Sequence, residues 1–322
     1  GEIANRDSLL VQTPESLKAR FNLDVRPFHE VISISPAEHT VTVRHDGQEF
    51  TESYDKLILS PGAKPFVPTI EGLAEAKNAY TLRNVPDLDE IMAALDNHPK
   101  EAVVIGAGFI GLEMAENLAK HGLQVTIVEK APHVLPPLDQ EMAAFVQAEL
   151  LANGIRVITS QSATRFEDQG KIIVLENGQK ITSDLTILSV GVEPENGLAK
   201  AAGIELGLRG GILVDEHYET SQKDIFAVGD AIVVKQEITG QDALISLASP
   251  ANRQGRQVAD VIAGLGRTNK GSIGTAIVRA FDMTAASTGL SERILRMNQL
   301  PYKALHVSGK DHAGYYPGAT DM

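Results

Sequence analysis

The sequence contains no cysteine and no tryptophan, and the first absence limits the chemistry that its 322 residues can carry. Without cysteine, these residues form no disulfide framework and perform no thiol chemistry. Basic residues are also few, because 29 Lys and Arg stand against 42 Asp and Glu, for a formal net charge of −13. Nucleic acids and anionic membranes need clustered positive charge, so this balance argues against both as partners.

Long hydrophobic runs are missing as well. No apolar stretch reaches the roughly 18 to 20 residues of a membrane-spanning helix, and no basic start followed by an apolar segment suggests a secretory signal. The hydrophobic fraction of 43% and the charged fraction of 22% are ordinary for a globular protein. We therefore expect two or three domains and a cytoplasmic location.

Local patterns predict alternating helices and strands. Helices are predicted at Ala4–Phe21, Leu112–Lys120 and Gln140–Ala152. Strands are predicted at Glu30–Ser35, Thr40–Arg44, Lys56–Ser60, Glu101–Ile105, Gln124–Glu129, Ile155–Thr159, Leu185–Val190, Thr275–Phe281, Thr284–Gly289 and Lys303–Val307. Two turn signals, Asp46-Gly47 and Asn177-Gly178, predict β-hairpins, because both turn positions favour positive φ.

An internal repeat joins these elements. The stretch from Asp46 to Pro65 and the stretch from Asn177 to Pro194 each contain a hairpin, an Asp-led apolar strand, a glycine and a later proline. A glycine-rich segment precedes the second copy. The same spacing before the first copy falls upstream of Gly1, so we expect a matching segment there.

The glycine-rich segment Gly106–Gly111 has the pattern G-x-G-x-x-G between an apolar strand and a helix. In a dinucleotide site, Gly106 permits the tight turn, Gly108 lets the backbone approach a pyrophosphate, and Gly111 allows close helix packing. The helix start then stabilises the phosphate charge. The alternative is a strand–helix turn without a ligand.

An acidic residue, Glu129, ends the following strand. A carboxylate at this place accepts hydrogen bonds from ribose hydroxyls and repels a 2′-phosphate, which favours NADH over NADPH. Lys130 follows it and weakens that discrimination.

A second signal is Asp224–Ala231, where a short apolar strand ends in Gly229 and Asp230. Strand ends point into ligand crevices in open α/β sheets, and Asp230 can accept hydrogen bonds from a polyol there. Taken alone, such an aspartate more often caps a helix.

Three motifs therefore stand in one order, and together they resemble the pyridine nucleotide-disulfide oxidoreductase family over nearly the whole chain: Ser60–Pro65, Gly106–Glu113 and Asp224–Asp230. Finer motifs are similar to the coenzyme A-disulfide reductase and NADH-dependent persulfide reductase group: Gly1–Ile3, Thr13–Glu15, Pro250–Arg256 and His312–Ala319.

The resemblance implies an α/β fold with two dinucleotide-binding domains and the start of an α+β interface domain. The FAD-binding domain would be discontinuous, with residues 1–77 and 206–268 flanking an inserted NAD-binding domain at 78–205. Residues 269–322 would begin the dimerisation domain of a homodimer. The family's first glycine fingerprint and its single redox cysteine are absent, so the chain is interpreted as a fragment, with both expected upstream of Gly1.

The resemblance also implies site residues. FAD would be held by Val31, Ser60, Pro61, Gly62, Asp230, Ala248, Ser249 and Pro250. NADH would be held by Gly106, Gly108, Phe109, Ile110, Gly111, Glu129, Lys130 and Gly191. Phe109 would cover the flavin and swing aside for nicotinamide, the alternative being an ordinary apolar turn residue. A thiol substrate pocket shared with a partner subunit would involve His312, Tyr315 and Tyr316.

The implied activity passes hydride from NADH through flavin to a small-molecule disulfide or persulfide. NADH oxidase and NADH peroxidase are alternatives, because the environment of the expected cysteine decides the acceptor. A non-catalytic NAD-binding sensor is an alternative of another class. No metal site is expected, and five histidines without ligand spacing are predicted at the surface: His29, His39, His45, His121 and His133.

Overall fold

The computed structural model describes residues 6–319, a mixed α/β fold. Its helices are α1 (Pro14–Phe21), α2 (Val85–Leu95), α3 (Phe109–Lys120), α4 (Gln140–Ala152), α5 (Gly197–Ala201), α6 (Ala248–Ile262) and α7 (Glu292–Met297). The motif at Gly1–Ile3 lies outside the described residues. Among the helices that are described, none has the length and apolar character to cross a membrane.

The strands fall into seven small sheets. Those before the first long helix are β1 (Glu30–Ser35), β2 (Thr40–His45), β3 (Gln48–Ser53), β4 (Leu57–Leu59), β5 (Ala63–Pro65) and β6 (Ala79–Tyr80). The next are β7 (Glu101–Ile105), β8 (Gln124–Val128), β9 (Arg156–Ile158), β10 (Ala163–Glu167), β11 (Ile172–Leu175), β12 (Lys180–Thr182), β13 (Leu185–Leu188) and β14 (Val192–Pro194). The last are β15 (Ile225–Ala227), β16 (Val234–Lys235), β17 (Asp242–Ala243), β18 (Thr275–Ala280) and β19 (Met283–Thr288).

A five-stranded parallel sheet with the order β6-β13-β7-β8-β9 forms the centre of the middle segment. Its strands are short, and the central strands β7 and β13 are buried on both faces, as is usual when helices cover a parallel sheet. The buried side chains of β7, β8 and β13 share one core with α3 and α4. This core fixes the carboxyl ends of the strands at a single edge.

The internal repeat is visible as two three-stranded antiparallel sheets, β1-β2-β3 and β10-β11-β12. At the first hairpin, Asp46 and Gly47 have φ of 48° and 75°, as the turn signal predicts. Each sheet leads into an apolar strand and then a short linker strand. The two linker strands, β5 and β14, pair with each other antiparallel.

The segments before and after the middle unit meet through β4 and β15, which pair in parallel register. Leu57 N–H donates to Asp224 O, and Val228 N–H donates to Leu59 O, both at 3.0 Å. Ile225 and Ala227 on β15 are fully buried in a second core with α6. The five-stranded unit is therefore inserted between two strands, β4 and β15, that lie side by side.

The hairpin β18–β19 packs on the five-stranded unit, since Val278 and Ala280 are buried in the core that contains α3. Glu116 on α3 is 5% exposed. It accepts hydrogen bonds from Phe281 N–H at 3.0 Å and from Lys120 Nζ at 2.5 Å. Burial alone would raise the pKa of this carboxyl, but these hydrogen bonds outweigh it and hold the pKa below its ordinary value.

Two of the secondary-structure predictions are wrong. The predicted helix Ala4–Phe21, of which residues 4 and 5 lie outside the described part, is a 3₁₀ turn at Arg6–Leu9 followed by a separate α1. Thr13 starts this new helix, because its Oγ1 accepts the Ser16 N–H at 3.2 Å and a proline follows it.

The second error is the strand predicted at Lys303–Val307, a segment without regular secondary structure. No described strand lies beside it to complete its backbone hydrogen bonds, and a lone strand is not stable. Leu305 and Val307 are 88% and 90% exposed as a result.

The Glu116 anchor can be tested through stability. Glu116→Ala leaves a partly buried N–H without its acceptor, so the free energy of unfolding should fall by about 1–3 kcal/mol at neutral pH. The matched control, Glu113→Ala on the exposed side of the same helix, should change it by less than about 0.5 kcal/mol. Urea titrations of both variants and the parent make the comparison.

The same anchor predicts a pH dependence. Because the native pKa of Glu116 lies below its unfolded value, its contribution is present above about pH 4.3 and is lost as the pH falls through the native pKa. Equal stability of the Glu113 and Glu116 variants at neutral pH would contradict the anchor.

Candidate functional site

A cavity of about 1200 Å³ opens where the parallel strands of the five-stranded sheet end. Ile105, Val128 and Leu188, the last residues of β7, β8 and β13, line its floor. Asp230, the first residues of α6 and the first residues of β18 line it as well. Ligands of open α/β sheets bind outside the carboxyl ends of the strands, so this is the candidate site.

The glycine turn Gly106–Gly111 lies at the cavity floor and needs its three glycines for different reasons. Gly106 has a φ of +103°, and an added Cβ would lie 2.4 Å from Ser189 O. At Gly111, an added Cβ would lie 2.0 Å from Gly106 O, so the helix packs directly on the turn. Gly108 has open space around it, which leaves room for a ligand to approach the backbone.

The start of α3 faces the cavity, because Gly108, Phe109 and Ile110 line it. Gly108 is the N-cap residue and provides no side-chain hydrogen bond. The first backbone N–H groups of a helix have no intrahelical acceptor, and together with the helix dipole they attract an anion. The arrangement therefore suits a phosphate group.

Ala107, the second residue of the turn, is held from two sides. Its N–H donates to Glu129 Oε2 at 2.6 Å, and its carbonyl accepts the Leu135 N–H at 2.9 Å. Glu129 Oε1 also accepts the Ala131 N–H at 2.7 Å. Each carboxylate oxygen has further lone pairs, so Glu129 shapes the turn and still presents acceptors to the cavity that it lines.

Ser189 is a residue that the sequence reasoning missed, although it precedes Gly191 in the repeat. Its hydroxyl lies 3.0 Å from Ile105 O and 2.9 Å from Gly106 O. It thereby connects the end of β13 to the glycine turn. The signal for it was its position at the end of a predicted strand beside the predicted site.

Asp230 also lines the cavity and lies within the 3₁₀ turn Gly229–Ala231. It is half-buried, and burial raises the pKa of its carboxyl. The 3₁₀ turn does not place it as a helix cap, because α6 begins later and its N-cap is Leu247. Its contact with a polyol stays a prediction.

The predicted segment Ser60–Gly62 forms the turn between β4 and β5. Arg83, also missed from the sequence, donates from Nη2 to Pro61 O at 2.8 Å, and its Nη1 lies 3.6 Å from Glu195 Oε2. Gly62 O accepts the Glu195 N–H at 3.0 Å. These contacts hold the two linkers together beside the cavity, although Ser60–Gly62 do not line it themselves.

Phe109 lies between the large cavity and a small pocket of about 10 Å³. The small pocket is bounded by Leu135, Pro137 and Ala276 among others. Its volume is too small to accept the ring without movement of these neighbours. Phe109 lines the large cavity, and its position over the flavin and its action as a gate stay predictions.

The cavity brings together ten of the residues predicted for the two nucleotides: Gly106, Gly108, Phe109, Ile110, Glu129, Lys130, Gly191, Asp230, Ala248 and Ser249. Gly111 and Pro250 are buried behind it, and Val31 lies in β1. Their ligand contacts stay predictions.

The predicted substrate residues are not part of this cavity. Tyr315 and Tyr316 are 83% and 56% exposed, with ring centroids 4.9 Å apart. His312 lies edge-on to Tyr316, with ring centroids 5.6 Å apart. Their contact with a thiol substrate and a partner subunit therefore stays a prediction.

One histidine prediction is wrong. His133 is 8% exposed rather than at the surface. It belongs to the turn that folds back under the glycine turn, where Val134 and Leu135 are fully buried. Its Nδ1 lies 2.8 Å from Val134 O.

A group outside the cavity contains Glu141, Glu292 and His306, whose ligand atoms lie within 4.8 Å of one another. His306 Nε2 lies 3.0 Å from Glu141 Oε1. Glu292 Oε2 already accepts hydrogen bonds from Arg296 and Tyr302. These protein partners account for the group without a metal ion.

The parallel sheet and the glycine turn at its carboxyl edge define a dinucleotide-binding α/β fold. Residues 2–255 match the family described as pyridine nucleotide-disulphide oxidoreductase, and the chain belongs to this family. The family and the α/β fold with dinucleotide-binding domains that the sequence predicted are thereby confirmed.

Two curated relatives are each 34% identical over the whole chain and 72% of their own length. They are named coenzyme A disulfide reductase, from Staphylococcus haemolyticus, and NADH oxidase, from Methanocaldococcus jannaschii.

Two solved structures also align over the whole chain. Reduced CoADR-RHD from Bacillus anthracis is 48% identical with a TM-score of 0.97, and the chain spans 58% of it. A NAD-dependent persulfide reductase from A. fulgidus is 34% identical with a TM-score of 0.95, and the chain spans 61% of it. The chain therefore spans less than two thirds of these two proteins.

Alanine variants test the packing of the glycine turn. Gly106 and Gly122 both have positive φ, +103° and +88°, so alanine adds backbone strain of about 1–2 kcal/mol at either position. Of these two glycines, only Gly106 would bring an added Cβ against a backbone oxygen, because Gly122 has open space around it. Gly106→Ala should therefore lose clearly more free energy of unfolding than Gly122→Ala in chemical denaturation. Similar losses would show that the turn is not packed against Ser189.

Proposed function

We propose that this chain holds the nucleotides of an NADH- and FAD-dependent reductase that acts on a small-molecule disulfide or persulfide. The observation that supports it most is the single cavity that contains both the glycine turn at Gly106–Gly111 and the turn at Asp230. The relatives named coenzyme A disulfide reductase and persulfide reductase support the substrate class.

NADH would lie along the five-stranded sheet. The N–H groups at the start of α3 would bind its pyrophosphate, since Gly108 and Ile110 line the cavity there. Glu129 would accept hydrogen bonds from the adenosine ribose, and Lys130 would lie beside it. Gly191, at the end of the cavity where β13 leads into β14, would contact the nicotinamide half.

The part of the cavity that Asp230 lines fits FAD. Asp230 is half-buried and lines the cavity, and no side chain in the described residues forms a hydrogen bond or an ion pair with its carboxylate. A ribityl chain offers the hydroxyl donors that such a carboxylate lacks. Ala248 and Ser249 at the start of α6 would line the flavin, and Ser60–Gly62 would pass near it.

When bound, flavin supplies a centre that takes a hydride from NADH and gives the electron pair to a sulfur acceptor. This chain's residues would bind the two nucleotides and exclude water between them. Phe109 would cover the flavin until nicotinamide arrives. The chain contains no cysteine, so its residues do not themselves form a mixed disulfide with the substrate.

A second candidate function is NADH oxidase, which the relative from Methanocaldococcus jannaschii favours. The intact protein should oxidise NADH much faster with coenzyme A disulfide or a persulfide than with oxygen alone. Oxygen uptake that accounts for all NADH oxidation, with no gain from a sulfur acceptor, would favour the oxidase. A colourless protein that binds NADH without turnover would identify a sensor.

A homodimer and a cytoplasmic location belong to the same proposal and are supported by the family resemblance. Light scattering on the intact protein tests the dimer, and fractionation of cells tests the location. A monomer of full activity would remove the reason for placing Tyr315 and Tyr316 at a shared substrate pocket.

The preference between nicotinamide cofactors depends on Glu129 and Lys130 in this proposal. Glu129→Ala should erode the preference for NADH over NADPH by about 10- to 100-fold, because it removes a charged acceptor worth about 1.5–3 kcal/mol. The matched variant, Lys130→Ala, should shift the preference the other way. The readout is the ratio of kcat/KM for the two cofactors. An unchanged ratio in Glu129→Ala would contradict the role of Glu129 in cofactor preference.

A further inference from the structure

Gln254 connects α6 to the turn that carries Asp230. It is 4% exposed, and its side-chain Oε1 accepts the Gly229 N–H at 2.7 Å. It lies in the segment Pro250–Arg256 that the sequence singles out, and none of the roles described above uses it. This buried carboxamide therefore makes a specific hydrogen bond in addition to its packing contacts.

The Gly229 N–H needs a side-chain acceptor because of where the β15 ladder ends. Val228 N–H is the last that donates to β4, reaching Leu59 O at 3.0 Å. Gly229 then turns with a φ of +81°, which takes its N–H off the ladder. A buried N–H without an acceptor is unfavourable, and Gln254 supplies that acceptor.

Asp230 is thereby bracketed by two hydrogen bonds to its neighbours. Before it, Gly229 N–H is held by Gln254. After it, Ala231 O accepts the Ile212 N–H at 2.8 Å. The backbone on either side of Asp230 is therefore restrained, which limits the directions in which its carboxylate can reach the cavity and reduces the ordering cost of binding a ligand.

We propose that Gln254 is a positioning residue for FAD, acting through the Gly229 peptide to aim Asp230 at the ribityl hydroxyls. The inference rests on the proposed FAD site. The same hydrogen bond ties the Asp230 turn to α6, whose first residues Ala248 and Ser249 also line the cavity.

A double-mutant cycle on the intact protein tests the proposal, with the FAD dissociation constant as the readout. Asp230→Ala should weaken FAD binding by about 10-fold or more, and Gln254→Met by about 10-fold. If Gln254 acts through Asp230, then Gln254→Met in the Asp230→Ala background should weaken binding by less than about twofold further. Independent, additive losses would overturn the proposal.

Gln257→Met is the matched control, because it removes another carboxamide contact, a partly buried one, from the same helix. Gln257 Oε1 accepts the hydroxyl of the buried Tyr218 at 2.5 Å. This variant should lose stability and keep the FAD dissociation constant and the visible circular dichroism of the flavin. Gln254→Met should change both of these properties. Equal effects of the two variants on FAD would show that Gln254 is only structural.

Gln254→Asn serves as a second variant if Gln254→Met does not fold, because it withdraws the acceptor by one methylene and keeps a polar side chain. It should show the same loss and the same dependence on Asp230. Normal FAD binding in Asp230→Ala would contradict the FAD site itself. Weak binding in Asp230→Ala with normal binding in both Gln254 variants would overturn only the role of Gln254.

Discussion

The parallel pairing of β4 with β15 is the constraint on which the site depends. The two strands are far apart in sequence, and the whole five-stranded unit lies between them, yet Leu57–Leu59 and Ile225–Ala227 pair residue by residue. Because parallel strands end at one edge, the turns that follow them, Ser60–Gly62 and Gly229–Ala231, leave the sheet together. Because β15 is buried, separating it from β4 would expose apolar surface and cost free energy.

A second pairing orients the five-stranded unit relative to the β4–β15 pair. The linkers β5 and β14 form an antiparallel pair, and Phe66 N–H donates to Gly191 O at 3.0 Å. The glycine turn and Asp230 consequently line one cavity, whose ionisable lining residues within the described part of the chain are Glu129, Lys130 and Asp230. This arrangement is the basis of the proposal that hydride passes directly between the two nucleotides.

Local sequence signals predicted the elements well where they act within a few residues. Glu30–Ser35, Glu101–Ile105 and Gln140–Ala152 have the predicted bounds, because apolar periodicity and turn residues decide them. Long-range contacts were not predictable. Gln254 meets Gly229 and Glu116 meets Phe281 only after folding brings distant segments together, and nothing in their local sequence marks the partner.

The central claim is that NADH and FAD share one cavity, so that electrons pass directly between them. Anaerobic titration of the intact protein with NADH, followed through the visible flavin absorbance, tests this most directly. The account predicts that the flavin band bleaches in proportion to the NADH added. A flavin band that persists while NADH is bound in excess would contradict it.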